Sequence, residues 1–299
     1  MITLLVNPVA GSGKAKNVAI SVIERLKQLN LPHRVWETHY PNEAKELAQN
    51  AAKEHQVDPQ KENMLLSIGG DGTFLEVVQG ALGSDLPVAS LPAGTGNDFL
   101  KSLGVPSDPM EALEHVLNSD VRPIDIGKVN NLLFANECGA GFDVTVLDYA
   151  NHFRKKIRGP ASYLLGVVTA IFRHRSSPMV IKADGKEVFR GNCLVFSVAN
   201  GQYIGGGIQI SPEADVESEK LELIVIQDCS RLRMCSYLPG LLGGKILHFK
   251  DTVVHCRADS IRVAPLTEGE TLRINIDGEI RDLPYCEFNV LPHTLPIQM

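Results

Sequence analysis

Three segments in the first half of the chain combine glycines with small polar residues: NPVAGSGK at 7–14, GGDGT at 69–73 and PAGTGND at 92–98. Each follows a short apolar run and precedes a segment with helical spacing, so each is predicted to join a strand to a helix. Glycines let backbone N–H groups approach an anion, and a helix presents its positive N-terminal end to it. Three such corners at the carboxyl edge of one sheet predict a polyphosphate site.

Asp71 is the acidic residue at the centre of the second corner. It comes shortly after the apolar run MLLSI, at a point where a carboxylate could meet Mg²⁺ or orient a nucleophile. Thr95 and Asn97 add side-chain donors to the third corner. For any corner alone, an ordinary tight turn stays an open interpretation, and Asn97 or Asp98 could be no more than a helix N-cap. The three corners together favour binding.

Two familiar phosphate-binding fingerprints do not fit the first corner. A Walker A loop needs glycine at position 8 and Ser or Thr after the lysine, where this chain has Pro8 and Ala15. A dinucleotide-binding G-x-G-x-x-G that starts at Gly11 needs glycine where Lys16 stands. The corner therefore supports neither a P-loop NTPase nor a simple Rossmann dehydrogenase.

A late pair of carboxylates, Asp277 and Glu279, lies in TLRINIDGEIRDL at 271–283. Alternating apolar and polar residues around Asp-Gly predict a hairpin with a tight turn. Phosphoryl transfer to an alcohol needs a carboxylate near the hydroxyl to accept its proton. A base delivered from this hairpin would place the reaction in a cleft between two domains. The alternative stays open that both carboxylates are solvated turn residues.

The elements that must position these residues differ between the two halves of the chain. Up to residue 127, short apolar runs alternate with segments of helical period, which predicts a parallel sheet flanked by helices. Strand-like runs then follow one another, with one helical stretch at 144–175, which predicts an antiparallel sandwich or barrel. We predict an α/β nucleotide-binding domain at 1–125, completed by the tail 291–299, and an all-β sandwich domain at 126–290.

The composition favours a soluble chain with two cores. The chain has 299 residues, of which 44% are hydrophobic. Its longest apolar stretches fall short of the roughly 20 residues that cross a bilayer, and its six cysteines are scattered without a C-x-x-C pair. A formal net charge of -6 argues against nucleic-acid binding. We therefore expect a cytoplasmic protein with reduced thiols, no secretory signal and no nucleic-acid partner.

Five segments together resemble the diacylglycerol kinase catalytic-domain lipid kinases, which include bacterial diacylglycerol kinases and the sphingosine and ceramide kinases. The segments are NPVAGSGK, GGDGTFLEVVQG, LPAGTGNDF, NGQYIGGGIQISPEA (200–214) and IDGE (276–279), in the expected order. GGDGT alone is shared with nicotinamide-dinucleotide kinases, whereas E-V-x-x-G and GTGNDF are more specific to the lipid enzymes. The resemblance implies a nucleotide domain distantly like phosphofructokinase and NAD kinase, a C-terminal β-sandwich, and an active-site cleft between them.

The resemblance also implies cofactors and site residues. ATP and Mg²⁺ would be the cofactors, with Asp71 in the metal-linked catalytic network and Glu279 as the proton acceptor. Asn7 would hold the nucleotide phosphates, and Thr38 and Thr95 would contact the nucleotide. The full ATP-binding set on this basis is Asn7, Gly11, Thr38, Gly69, Gly70, Asp71, Gly72, Thr73, Gly94, Thr95 and Asn97.

One departure from the family pattern concerns a structural Mg²⁺. Many bacterial members carry Asp-Gly after P-x-A, and that Asp helps to hold the ion. This chain has Ser218 and Glu219 at the matching positions of PEADVESEKLEL. The usual form of the site is therefore not expected, although Asp215 or Glu217 could substitute as ligands.

A basic segment, Arg154, Lys155, Lys156 and Arg158, precedes the apolar run SYLLGVVTAIF. Basic residues attract anionic headgroups, and an apolar helix face beside them can enter the membrane interface. The segment therefore predicts peripheral membrane contact. A core helix with a solvated basic start stays the alternative.

The acceptor and two rival functions stay open from the sequence. Diacylglycerol is the leading acceptor, but phosphatidylglycerol, a polyprenol, a sphingoid base or a non-lipid alcohol would fit the same motifs. The rivals are a nicotinamide-dinucleotide kinase, which shares GGDGT, and a non-catalytic lipid- or nucleotide-binding module on the same fold. A homodimer also stays open, because sandwich edges can pair.

Overall fold

Strands and helices alternate along the first half of the chain in the computed structural model, which describes residues 1–59, 63–154, 157 and 160–299. The elements are β1 (Ile2–Val6), α1 (Lys14–Gln28), β2 (His33–Glu37), α2 (Glu43–Val57), β3 (Met64–Gly69), α3 (Asp71–Ala81), β4 (Val88–Pro92), α4 (Asp98–Ser102) and α5 (Pro109–Asn118).

The four strands form a parallel sheet in the order β2-β1-β3-β4. β1, β3 and β4 are apolar runs buried along their whole length, as expected for inner strands that helices cover. α1 turns Val18, Val22 and Leu26, which are spaced four residues apart, into the core. α5 begins at a cap, because Asp108 accepts from the Met110 N–H at 2.8 Å. The α/β prediction for this half is confirmed.

The second half is dominated by strands. Its elements are β5 (Val121–Val129), β6 (Leu132–Phe134), β7 (Glu137–Gly141), α6 (Phe142–Arg154), α7 (Pro160–Arg173), β8 (Ser177–Ala183), β9 (Lys186–Ala199), β10 (Tyr203–Ile204), β11 (Ile208–Gln209), β12 (Leu221–Gln227), α8 (Arg231–Leu242), β13 (Val253–Ala258), β14 (Ser260–Pro265), β15 (Leu272–Ile276), β16 (Glu279–Leu283) and β17 (Cys286–Gln298).

These strands pair antiparallel in the order β16-β15-β7-β9-β8-β14-β17, and β12 joins β9 to β13. Their inward side chains form a second core, separate from the core of the first half. The ring of Phe288 lies at its centre and meets Phe134 and Phe196 edge-on, with centroids 6.2 and 6.3 Å away. The predicted sandwich is confirmed.

Helices are more extensive in this half than the sequence predicts. Among the described residues, α6 and α7 fall in or near the predicted helical stretch at 144–175, and α8 is additional. Pro239 and Gly240 obscure α8 in the sequence because both residues usually interrupt helices. The structure nevertheless keeps Pro239 inside the helix, which begins where the Ser230 hydroxyl accepts from the Arg233 N–H.

The strands β5 and β17 form a long antiparallel pair that is shared by both halves. The first part of β17 pairs with β14 in the sandwich, while Ile297 lies opposite Val88 of β4 in the parallel sheet. Leu295 and Ile297 are buried in the core of the first half. The tail of the chain is therefore a strand of the first sheet. The domain boundary at residue 125 falls inside β5 and stays a prediction.

A register shift interrupts β17 between Leu291 and Leu295, and the buried Asp125 holds this bend. One carboxylate oxygen of Asp125 accepts from the His293 N–H at 2.9 Å. The other accepts from the Glu219 N–H at 2.6 Å. Because a buried carboxylate needs such donors, Asp125 fixes the place where the shared strand pair passes from one core to the other.

Among the described residues, no helix combines the length and apolar character that crossing a bilayer requires. The six cysteines are free thiols, and Cys138, Cys193 and Cys286 are buried. Burial raises the pKa of Cys286 to about 12, so this thiol stays protonated and unreactive at neutral pH.

Candidate active site

The three glycine corners meet at the carboxyl edge of the parallel sheet. Gly11 approaches the third corner so closely that a Cβ there would lie 2.2 Å from the Ala93 carbonyl oxygen. Gly94 approaches the second corner in the same way, since its Cβ would lie 2.4 Å from the Cα of Gly70. Only glycine permits these approaches. The fold therefore brings together the corners that the sequence singles out.

Asn7 and Thr73 join the first two corners through their side chains. The Asn7 side-chain amide donates to the Thr73 hydroxyl at 2.9 Å. Gly69 leaves the space for this contact, because a Cβ there would lie 2.6 Å from the Cβ of Thr73. Thr38 follows β2 and donates its N–H to the Val6 carbonyl at 2.9 Å, which places it beside the end of β1. Asn7 is thus held by the second corner, and its role toward a nucleotide stays a prediction.

Asn97 closes the third corner on itself. Its side-chain oxygen accepts from the Gly94 N–H at 2.9 Å, and its side-chain nitrogen donates to the Gly94 carbonyl at 3.2 Å. It precedes α4 but makes no side-chain cap there. Thr95, at the tip of this loop, and Gly72 are exposed. Asn97 therefore shapes the loop, whereas Thr95 remains accessible to a ligand.

Asp71 and Asp98 face the same gap beside Gly96. A Cβ on Gly96 would lie 3.1 Å from Asp71 Oδ2 and 3.3 Å from Asp98 Oδ2. Burial raises the pKa of Asp71 above its ordinary value, and the Asp98 charge raises it further; the Phe99 N–H, which donates to Asp71 Oδ1 at 3.3 Å, opposes the shift. A cation in this gap would favour the ionised form of Asp71.

Asp98 also ties the third corner to the second half of the chain. One of its oxygens accepts from Lys101 Nζ at 2.9 Å, and the other accepts at 2.8 Å from the N–H of Gly206, in the turn between β10 and β11. The Ser102 hydroxyl accepts from the Gln202 N–H at 2.8 Å. The third corner is therefore in direct contact with the segment around β10.

The late hairpin turns one of its carboxylates inward. Asp277 and Gly278 form the two-residue turn between β15 and β16, both with positive φ, as the sequence predicts. The Asp277 carboxylate accepts from three consecutive backbone N–H groups at 2.6, 3.1 and 2.8 Å, those of Ala135, Asn136 and Glu137. The interpretation of Asp277 as a solvated turn residue is therefore wrong.

Glu279 points the other way. Its side chain is 65% exposed and pairs with Arg281 at 2.7 Å. A base in a ligand-free site often reaches its working position only when the substrate binds. Glu279 would have to leave Arg281 to meet a hydroxyl in the cleft, so its role as proton acceptor stays a prediction.

The row of carboxylates continues from Asp277 to Glu137 and Asp143. A Cβ on Gly139 would lie 2.4 Å from Glu137 Oε1 and 3.3 Å from Asp143 Oδ2, so both carboxylates adjoin this glycine. Burial raises the pKa of Asp277 to about 6, with a contribution from the Asp71 charge, and raises the pKa of Asp143 to about 6. Burial and the Asp143 charge raise the pKa of Glu137 well above its ordinary value. Each carboxylate of the row therefore takes up a proton at a higher pH than an ordinary Asp or Glu does.

An apolar cavity of about 100 Å³ lies against Glu137 and Asp143. Its walls come from α6, α7 and α8 and from strands β9 and β12. The carboxylate oxygens of Asp143 are buried and make no well-aligned hydrogen bond, although the Val144 N–H and the Asn275 side chain lie close enough to lower its pKa in part. An apolar wall with a polar group at one end suits an amphiphile with its polar atoms at the carboxylates.

The residues considered for a structural Mg²⁺ do not form a ligand cluster. Glu217 pairs with Arg122 at 2.6 Å, and its N–H donates to Asp215 Oδ1 at 3.0 Å. The N–H of Glu219 donates to the carboxylate of Asp125. Within the described part of the chain, no group of three or more His, Cys, Asp or Glu residues converges on a point where a metal could sit. A metal role for Asp215 and Glu217 stays a prediction without geometric support.

The basic segment predicted to contact a membrane lies largely outside the described residues. Lys155, Lys156 and Arg158 lie outside the described residues, and so does the side chain of Arg154. Membrane contact through this segment therefore stays a prediction from the sequence.

Family models match both halves of the chain. The model of the diacylglycerol kinase catalytic domain matches residues 1–129, and the model of the YegS C-terminal NAD kinase beta sandwich-like domain matches residues 136–299. The chain is also 32% identical over 240 residues to a "Probable lipid kinase YegS-like" protein of Pseudomonas aeruginosa, covering 79% of this chain and 76% of that one. The chain belongs to the diacylglycerol kinase catalytic-domain family. These matches support a lipid kinase.

Further members of the diacylglycerol kinase family match nearly the whole chain. A diacylglycerol kinase of Bacillus subtilis is 27% identical over 290 residues, which cover 95% of this chain and 91% of that protein. The crystal structure of a diacylglycerol kinase from Bacillus anthracis superposes with a TM-score of 0.75 at 23% identity and covers 99% of this chain and 96% of that one. The predicted fold class, a nucleotide-type α/β domain followed by a β-sandwich, is confirmed.

Sequence analysis of this diacylglycerol kinase family member does not predict Glu137 and Asp143, the carboxylates that lie between the glycine corners and the apolar cavity. Glu137 begins a strand and Asp143 lies in the first turn of α6, so neither belongs to a recognisable motif. Asp98 is visible in PAGTGND, but only as a candidate cap. Their proximity arises from the approach of distant strands, which local patterns do not encode.

Replacing Asp277 tests its role as the acceptor for three backbone donors. We expect Asp277→Ala to lower the free energy of unfolding at pH 7 by about 2–4 kcal/mol, because the partly buried N–H groups of residues 135–137 lose their partner. Urea unfolding measures the change. Asp282→Ala, at an exposed position of the same hairpin, should change it by less than about 0.5 kcal/mol. Equal effects of the two substitutions would show that the contact contributes nothing.

Replacing Asp143 should make the protein more stable, in a pH-dependent way. The folded pKa of about 6 exceeds the ordinary value of 3.8, so the native protein keeps its full stability below about pH 4 and loses part of it as pH rises through about 6. We expect Asp143→Asn to raise the free energy of unfolding by about 1–3 kcal/mol at pH 8. Urea unfolding at pH 4 and pH 8 checks this, since a gain of the same size at both values would contradict the assignment.

Proposed function

We propose that this chain transfers the γ-phosphate of ATP to a lipid hydroxyl in a Mg²⁺-dependent reaction, with diacylglycerol as the first acceptor to test. The observation that carries the proposal is the series of carboxylates Asp71, Asp277, Glu137 and Asp143, from the glycine corners to the apolar cavity, in which neighbouring charges raise one another's pKa. One end of this row suits a polyphosphate and the other suits an amphiphile. The reaction would take place in the cleft between the α/β domain at 1–125, with its tail strand, and the sandwich domain at 126–290.

ATP would bind along the edge where the three corners meet. The helices α1 and α3 begin at these corners, so their positive ends and free N–H groups face an anion there. Thr95 is accessible for a further contact, and Thr38 lies beside the end of β1. Asn7 and Thr73 would hold the first two corners in a fixed relation to the phosphates.

The residues around Asp71 fit Mg²⁺. Proteins usually hold this ion with one or two carboxylates, substrate phosphates and waters. Asp71 and Asp98 face one gap, and the pKa of Asp71 is raised by burial and by the nearby Asp98 charge. When bound, Mg²⁺ supplies positive charge that neutralises the transferring phosphate. Asp71 would be its ligand, while Asp98, already paired with Lys101, would hold the third corner in place.

The acceptor would place a few methylene groups of one acyl chain at the apolar cavity, which has a volume of about 100 Å³, and its hydroxyl toward the row of carboxylates. Glu279 would accept the proton of this hydroxyl after leaving Arg281. Asp277 would act as a positioning residue, because it anchors the turn that carries Glu279 to residues 135–137. The basic residues Arg154, Lys155, Lys156 and Arg158 would add contact with the membrane that contains the acceptor.

Transfer of label from γ-labelled ATP tests the proposal. The protein is incubated with Mg²⁺ and mixed micelles of diacylglycerol, phosphatidylglycerol, a polyprenol or a sphingoid base, and separately with NAD, with Glu279→Gln as the control. Label that enters one lipid class and is lost in the variant supports the proposal and names the acceptor. Transfer to NAD alone would support the nicotinamide-dinucleotide kinase instead, and ATP or lipid binding without any transfer would support a non-catalytic module.

A further inference from the structure

The helix α7 is apolar on two opposite sides. Val167 and Ile171 face inward and line the apolar cavity. Gly166 packs against α6 so closely that a Cβ there would lie 2.8 Å from the Val146 carbonyl oxygen. A helix that is apolar all round is normally enclosed by protein or lipid on every side. The packing of α7 accounts for only part of its surface.

The outer side of α7 carries Leu165, Val168 and Phe172, spaced so that they share one face. All three are exposed, and Phe172 exposes 71% of its surface, more than any other described phenylalanine. α8 begins against the end of this helix, since the Arg231 guanidinium donates to the His174 carbonyl at 2.6 Å. The next residue, Leu232, is 86% exposed. We define Leu165, Val168, Phe172 and Leu232 as the outer apolar face.

Two arginines at the end of α7 border the outer apolar face. Arg173 directly follows Phe172, and Arg173 and Arg175 are both exposed. Neither forms an ion pair with another described residue; the groove that they line also contains Glu270 and Asp148, and Asp148 pairs with Arg273. Arg233 is not counted with them, because Asp251 pairs with it. In a chain with a net charge of -6, cations beside exposed apolar side chains match an anionic lipid surface better than another region of this acidic protein.

We infer that the outer apolar face enters the headgroup region of an anionic bilayer and that Arg173 and Arg175 pair with its phosphates. This inference rests on the proposed function. It adds a membrane-docking surface made of described residues, whereas the basic segment at 154–158 lies largely outside them. α7 and α8 present one side to the bilayer and the other to the cavity. An acyl chain leaving the bilayer at this surface therefore has the apolar lining of the cavity directly behind the two helices.

Vesicle sedimentation tests the docking surface separately from catalysis. The probes are vesicles of phosphatidylcholine alone and vesicles with phosphatidylglycerol added. We expect Phe172→Asp and Leu232→Asp each to lower the partition coefficient on anionic vesicles about tenfold. The matched control is Val57→Asp, an equally exposed apolar position at the end of α2, which should bind like the native protein. The double change Arg173→Glu and Arg175→Glu should weaken binding to anionic vesicles and leave the weak binding to phosphatidylcholine unchanged.

A second readout separates docking from the kinase reaction. With a diacylglycerol in bilayers, kcat/KM of Phe172→Asp should fall about tenfold, while with a short-chain diacylglycerol below its micellar concentration it should equal that of the native protein. Sedimentation of Phe172→Asp that equals Val57→Asp would overturn the inference even if the native protein phosphorylates lipids. A native dimer that dissociates in Phe172→Asp would also overturn it, because the face would then cover a second copy. Vesicle binding lost in Phe172→Asp supports the surface even if no lipid is phosphorylated, in which case the proposed function fails alone.

Discussion

Asp71→Asn is expected to lower kcat by about 10³-fold while the fold and the nucleotide affinity change little. The substitution keeps the shape of the side chain and its contact with the Phe99 N–H, but removes the charge that would hold Mg²⁺. It also removes the repulsion with Asp98, so the ligand-free protein should not lose stability. Steady-state kinetics with ATP and the acceptor found by the label transfer measure the effect, and fluorescence titration measures nucleotide affinity.

The control for Asp71→Asn is Asp85→Asn, an exposed acid in the loop before β4. It should retain full activity, because it lies away from the corners. A kcat of Asp71→Asn within tenfold of the native value would remove Asp71 from the reaction. The proposed metal ligand would then have to be another member of the carboxylate row.

Glu279→Gln is expected to lower kcat by about 10²–10⁴-fold with nucleotide binding unchanged. The amide can still occupy the exposed position beside Arg281 but has no lone pair basic enough to take the hydroxyl proton. Because Glu279 makes no contact with the glycine corners in the ligand-free protein, the Kd for ATP should stay within twofold. Rapid-quench measurement of a single turnover separates the phosphoryl transfer from product release.

Glu268→Gln, an exposed change in the loop before β15, controls for the loss of one surface charge. It should leave the single-turnover rate unchanged. If Glu279→Gln behaves like this control while Asp71→Asn is inactive, the proton must be taken by a group in the row, where Asp277 and Asp143 have pKa values of about 6. That pattern would reassign the base without disturbing the site of the nucleotide.

The phosphate-binding corners of the first half could be predicted from the sequence because the residues of each corner are neighbours along the chain. Each glycine corner lies within eight residues, and a parallel sheet places the ends of its strands at one edge whatever the details of packing. The sequence does not reveal how closely the three corners approach one another. The gap that Asp71 and Asp98 share, and the near contact of Gly70 with Gly94, depend on distances set by the whole sheet.

The strands of the second half could be predicted from the sequence, but the arrangement of its carboxylates and its cavity could not. Strand alternation does not reveal that Asp277 would find three N–H donors in a turn 140 residues earlier in the chain. The cavity arises only where helices from three separate places meet the sandwich, and Pro239 conceals one of them. Buried carboxylates such as Glu137 break the expected apolar pattern, and a single sequence cannot distinguish such a residue from an edge position.

The strand pair β5 and β17 has a consequence for the order in which the protein forms during synthesis. The parallel sheet acquires its β17 strand only after residues up to 298 have left the ribosome, since Leu295 and Ile297 pack into the core of the first half. Until then β4 presents an open edge and the core lacks two of its side chains. The halves therefore cannot mature one after the other as independent units do. In a nascent chain, the first half would stay partly assembled until Leu295 and Ile297 complete its core.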